Sequence, residues 1–215
     1  VGGTAYFNRD SLTVTASCFV DEWKDQSANA NHATQATFGS QPQIHDGTVN
    51  TDLITENGKP ILKASNNSTR LITPFGNTVS DQTIFSVNRL DGTSIFWGAN
   101  DSSGLYLLAA ESGSTNTGIS GGYTFIDLRK NASTYSLTGK NRGNLYTDFV
   151  SQHLMTIEFD VPAAGTFQQF GYWNVAGFTM YSCQEAILFP SANKPSTIQR
   201  AAIESNMNGY FSIYP

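Results

Sequence analysis

Residues 23–42 carry the densest run of chemistry in the chain: Trp-Lys-Asp-Gln-Ser-Ala-Asn-Ala-Asn-His-Ala-Thr-Gln, then Ser40-Gln41-Pro42. Asp25, Asn29 and Asn31 are short, oxygen-bearing side chains that favour tight turns. They suit two chemistries. One is an Asx-rich turn that satisfies its own backbone amides. The other is a calcium loop, and calcium takes roughly six to eight hard oxygens. Three such residues are too few for calcium, so a second segment must contribute. Glu185 is the candidate. In residues 178–189 alternation puts Tyr181, Cys183, Glu185, Ile187 and Phe189 on one strand face. A carboxylate among apolar neighbours is costly unless paired or metal-bound. An Arg, a backbone amide or a wet strand edge would answer that cost equally well.

Two further carboxylates, Glu158 and Asp160, lie in Ile157-Glu158-Phe159-Asp160-Val161. Paired acids on one strand face are the raw material of retaining glycoside hydrolysis. The simpler expectation is that Thr156, Glu158 and Asp160 form a solvent face, with Met155, Ile157 and Phe159 inward. His32, His45 and His153 are scattered, and no G-x-S-x-G elbow, phosphate loop or zinc-protease helix occurs. The chain therefore reads as a binding protein rather than an enzyme, with a glycoside hydrolase as the catalytic alternative. Trp97, Tyr106, Tyr123, Tyr146, Tyr172 and Trp173 are candidates for a sugar-stacking platform, although such rings serve equally well as core. Cys18 and Cys183 fit no metal spacing. They read either as two buried thiols or as one disulfide between the first and last strands, worth ~4–5 kcal/mol in the loop-entropy model.

The elements that must position these residues are mostly strands. Leu12, Val14, Ala16, Cys18 and Val20 alternate with polar residues, the period of a half-buried strand. Similar runs cover 59–64, 83–89, 94–97, 105–110, 123–128, 154–161, 167–173 and 178–189. Turn pairs such as Asn57-Gly58, Asp91-Gly92, Gly121-Gly122 and Arg142-Gly143 separate them. Near the end, Ser196-Thr-Ile-Gln199 predicts a capping box and one short helix. Gly209 is its expected stop, and residues 210–214 read as a last strand-like piece. No linker or repeat divides the 215 residues, so residues 1–215 read as one all-β domain. The formal net charge is −5, and no Lys/Arg run is present. That argues against nucleic acid, and no apolar stretch is long enough to insert in a membrane.

Several segments together resemble the laminin-G-like, concanavalin A-like lectin/glucanase domains of phage tail and virion proteins and of bacterial surface proteins. They are Trp23-Lys-Asp25-Gln-Ser-x-Asn29-x-Asn31-His-Ala-Thr-Gln, Gln41-Pro42, Leu53-Ile-Thr-Glu-Asn-Gly-Lys-Pro60, Asn141-Arg-Gly-Asn-Leu-Tyr146, Gln184-Glu185-Ala-Ile-Leu-Phe-Pro-Ser191 and Arg200-x-x-Ile203-Glu-Ser-Asn206. The first of these also resembles the arabinofuranosidase sandwich. The resemblance implies a two-sheet antiparallel jelly roll with neighbouring termini. It implies a non-catalytic, surface-displayed adhesin on a virion or outside a cell, recognising cell-surface carbohydrate. The alternative is a structural decoration protein whose partners are other virion proteins. It implies structural Ca2+ held partly by an acidic residue at Glu185, and such domains are often arranged as trimers. The chain reads Ser27-Ala28-Asn29-Ala30-Asn31 where relatives commonly read Ser-Gly-Asn-Gly-Asn, which removes two residues free to adopt positive φ.

Overall fold

The computed structural model describes residues 16–47, 53–64, 69–72, 82–92, 94–95, 98–99, 108–118, 124–160, 167–170 and 181–215. In chain order the strands are β1 (Ser17–Phe19), β2 (Glu22–Trp23), β3 (Ala33–Thr34), β4 (Gln43–Asp46), β5 (Thr55–Glu56), β6 (Lys59–Pro60), β7 (Leu62–Lys63), β8 (Leu71–Ile72) and β9 (Gln82–Leu90). There follow β10 (Ser94–Ile95), β11 (Gly98–Ala99), β12 (Ala109–Ala110), β13 (Thr124–Lys130), β14 (Ser133–Thr134), β15 (His153–Asp160), β16 (Phe167–Phe170) and β17 (Tyr181–Phe189). Two helices join them, α1 (Arg142–Phe149) and α2 (Thr197–Phe211).

The largest unit is an eight-stranded antiparallel sheet in the order β1-β4-β7-β17-β9-β15-β13-β14. A second antiparallel sheet runs β11-β16-β8-β3-β2. The centre of the large sheet is β9, Gln-Thr-Ile-Phe-Ser-Val-Asn-Arg-Leu, buried except at Arg89. Its period of two feeds two cores. Ile84 and Leu90 join Leu108, Leu128, Leu145, Phe149, Met155, Ile157 and Phe159 on one face, with Trp23 packed against them. Phe85 and Val87 join Leu154, Met207 and Phe211 on the other, under α2. The expected strands at 83–89, 154–161 and 178–189 are therefore present as β9, β15 and β17, and they form the middle of the sheet.

The second core corrects the solvent-face expectation for β15. Thr156 is 1% and Glu158 7% exposed, because α2 lies across that face. Thr156 Oγ1 donates to Glu204 Oε1 at 2.7 Å, and Arg129 Nε donates to the same oxygen at 3.0 Å. Arg200 bridges Asp127 and Glu158, and Lys194 Nζ stands 3.2 Å from Glu158. Thr156 and Glu158 look outward in sequence, yet they are the seat of a helix; the side chain of Asp160 lies outside the described residues.

The helices differ from expectation in three ways. Ser196 caps α2 as the capping box predicts, its side chain accepting from Gln199 N. The helix then passes through Gly209 to Phe211, and its left-handed cap is Ser212, φ 54°. Residues 210–214 are thus not a strand. Phe211 is drawn into the core one turn after Met207, and Asn208 closes the end by accepting from Ile213 N and Tyr214 N. The second helix, α1, was expected as a turn at Arg142-Gly143. Asn141 and Asn144 form a reciprocal cap there, and Leu145 and Phe149, four apart, are both buried. Gly143 is needed in that first turn because a Cβ would stand 2.8 Å from Ser114 O. Among the described residues no helix is long and apolar enough to cross a membrane.

Candidate functional site

The loop between β2 and β3 is built around Asp25. Asp25 Oδ1 accepts from Ser27 N at 2.8 Å. Its Oδ2 accepts from Ser27 Oγ at 2.7 Å and Asn31 N at 2.9 Å. Asp25 N in turn donates to His32 Nδ1 at 3.0 Å, so the ring acts there as an acceptor. Bonds from Ser27 first, then Asn31, hold the Asp25 carboxyl below its ordinary pKa. The loop turns back at Ala30, whose φ of 54° is left-handed. An alanine held in that backbone shape carries a strain of ~1 kcal/mol.

Opposite the loop runs β17. It carries a bulge between Cys183 and Glu185, where the register against β9 shifts. Gln184 sits at the bulge, and its amide nitrogen reaches Glu56 O and Lys59 O, both at 3.0 Å, in the β5–β6 hairpin. The bulge breaks the simple parity expected for this strand. Cys183 belongs to the core with Ala186 and Leu188, whereas Ile187 and Phe189 pack towards α2. β7 pairs with β17 only at Ser182 and Cys183, and beyond that point no described strand covers the β17 edge.

Loop and strand edge together line a cavity of about 860 Å3. Its walls include Asp25, Asn29, Asn31 and Glu185, the four residues singled out as a set from sequence. They also include Trp23 and Gln26 of the same motif, and Asn193, which the sequence offered no reason to group with them. Trp23 read as part of the loop motif, and Asn193 lies in the turn after β17, far away in the chain. Glu185 makes no side-chain hydrogen bond or ion pair among the described residues, and burial pushes its carboxyl pKa up.

The loop is closed by its own hydrogen bonds. A carboxylate has about four lone-pair positions, and Asp25 spends three of them on its own loop. The cavity is a mixed pocket, with apolar side chains of β17, the ring of Trp23, the amides of the loop and one unpartnered carboxylate.

The other expected site residues fall elsewhere. Tyr146, on α1, is half-buried against the larger core and does not line this cavity. Trp97, Tyr106, Tyr123, Tyr172 and Trp173 lie outside the described residues. Neither Cys18 nor Cys183 is in a disulfide. Their strands stand three places apart in the sheet, β1-β4-β7-β17. That is about 14 Å at the usual strand spacing, too far for the ~7 Å reach of a disulfide. Glu158 is pinned between Arg200 and Lys194 beneath α2, which makes it a structural carboxylate.

Comparison of the chain with protein-family models, with curated proteins and with solved structures finds no match.

Proposed function

We propose that this protein is a non-catalytic, surface-displayed binding domain that recognises carbohydrate in the cavity between the β2–β3 loop and β17. The observation that carries the reading is the composition of that one cavity. Trp23 offers a ring face for sugar C–H groups, and Gln26, Asn29, Asn31 and Asn193 offer amides that donate and accept at hydroxyls. A concave site with an aromatic wall and a few convergent polar groups is the usual form of a small-ligand pocket. Two antiparallel sheets, with Trp23 of the smaller packed on the core of the larger, support a jelly-roll sandwich as the scaffold. With the motif resemblance, this favours display on a virion or outside a cell.

The open edge of β17 supports a second reading, in which the partner is another virion or surface protein that adds a strand there. A glycan array separates the two, probed with the wild type and with Asn29→Ala and Asn31→Ala variants. Selective glycan binding, at least about tenfold weaker in the variants, is expected for a sugar site with two lost hydrogen-bonding amides. Binding should be equal with calcium and with chelator, since Asp25 closes the loop without an ion. An array with no selective binder would sink the carbohydrate reading and leave the strand-addition reading standing.

A further inference from the structure

The cavity's charge is lopsided. Its lining contains two carboxylates, Asp25 and Glu185, and one cation, Lys24. Lys24 points to water, with its side chain 62% exposed, and its ammonium stands 3.8 Å from Glu22 outside the lining. Lys194, next in the chain to Asn193, is held by Glu158. The two acids are not equivalent. Asp25 stays ionised, and three donors of its own loop already occupy its oxygens. Glu185 is half-buried beside Ala186, Ile187 and Leu188 and has no partner among the described residues. A charge held partly out of water seeks an opposite charge or a set of donors.

Resting on the carbohydrate reading above, we infer that Glu185 is the specificity-determining group of this cavity, selecting sugars that bear a free amine and rejecting sugars that bear a carboxylate or sulfate. An amine-bearing residue seated between Trp23 and Glu185 places its ammonium against the one unpaired carboxylate. Partial burial makes that attraction stronger than the same pair in open water. A uronate or sulfate in the same place meets Glu185 with only the solvent-facing Lys24 in the lining to offset it, and like charges brought together at an interface are strongly disfavoured. A neutral sugar keeps the ring stacking and the amide bonds and falls between the two. The desolvation that raises the Glu185 pKa agrees with a carboxyl waiting for a donor.

The test is a calorimetric titration of the intact protein at near-physiological salt, with three tetrasaccharides: a glucosamine, an N-acetylglucosamine and a galacturonic acid oligomer. The expected order is amine, then neutral, then acidic, with at least about tenfold between the first and last. In Glu185→Gln the ratio between amine and acidic oligomers should fall towards one, and an unchanged melting temperature shows that the fold is intact. Acidic binding equal to or tighter than amine binding in the wild type overturns the assignment, whatever the variant does. An unchanged ratio in a folded Glu185→Gln protein overturns the role of Glu185. If none of the oligomers binds, and no glycan on the array does, the carbohydrate reading itself falls and the selectivity with it.

Discussion

Ala30 shows how a single residue records the demands of a loop. At φ 54° an L side chain crowds its own backbone, whereas glycine does not. The loop nevertheless adopts this conformation, because Asp25 gathers Ser27 N, Ser27 Oγ and Asn31 N around one carboxylate. These bonds fix the turn on either side of Ala30 and leave it no other basin. Ala30→Gly should therefore stabilise the protein by up to ~1 kcal/mol, the relief of strain less the extra freedom glycine brings to the unfolded chain. The measurement is the melting temperature, which should rise by about 2–4 °C for a chain of this size. A fall would mean that the left-handed turn is not the loop's resting shape in solution. The same loop shows what sequence can reveal at this scale. An Asx turn is local, its donors all within six residues of Asp25, so its chemistry was legible as one of two readings. Which donors Asp25 gathers, and how many of its lone pairs they occupy, only the folded loop shows.

At the scale of elements, α2 is the piece whose attachment sequence reasoning least anticipated. Its cap was readable, because Ser196 and Gln199 lie three apart. Its seat was not, because the residues that receive it, Asp127, Arg129, Thr156 and Glu158, look like an exposed polar face on β13 and β15. Glu204 is the centre of the contact, only 1% exposed and bonded to Arg129 and Thr156. Removing its charge leaves a partly buried guanidinium short of a partner. Glu204→Gln should lower unfolding stability by about 2–3 kcal/mol, somewhat less than for a fully buried pair because Arg129 also has Asp127 within reach. Urea unfolding measures this, and a loss below about half a kcal/mol, the ordinary size of a surface change, would show that α2 is held by Met207 and Phe211 alone.

For the molecule as a whole, acid is the informative stress. His153 is wholly buried at the start of β15, its ring edge-on to Phe149 at 4.6 Å and its Nδ1 2.9 Å from Ser151 O. Burial lowers its pKa from 6.5 to about 3. The folded state thus keeps the ring neutral where the unfolded chain would protonate it. Stability from this group is complete above pH 6.5 and drains away as pH falls towards 3, by up to about 4 kcal/mol at the acid end. Denaturant unfolding at pH 7, 5 and 4 should show the decline, and His153→Gln should flatten it whatever its effect at pH 7. Equal pH slopes in variant and wild type would show that the ring is protonated in the fold.

What the sequence determined by itself was whatever depends on neighbours along the chain: the alternation that makes β9, β15 and β17 strands, the capping box of α2, and the Asx chemistry of residues 25–31. Tertiary structure decided what depends on who arrives from far away. α2 turned an apparently wet face of β15 into a second core. A one-residue bulge at Gln184 undid the parity that seemed to align Cys183 with Glu185. Two intervening strands separated Cys18 from Cys183. It also brought Glu185 to the same cavity as Asp25, Asn29 and Asn31, about 160 residues apart in the chain. Local propensity acts over a turn or a strand, whereas burial and charge pairing act between surfaces that meet only when the sheet is assembled.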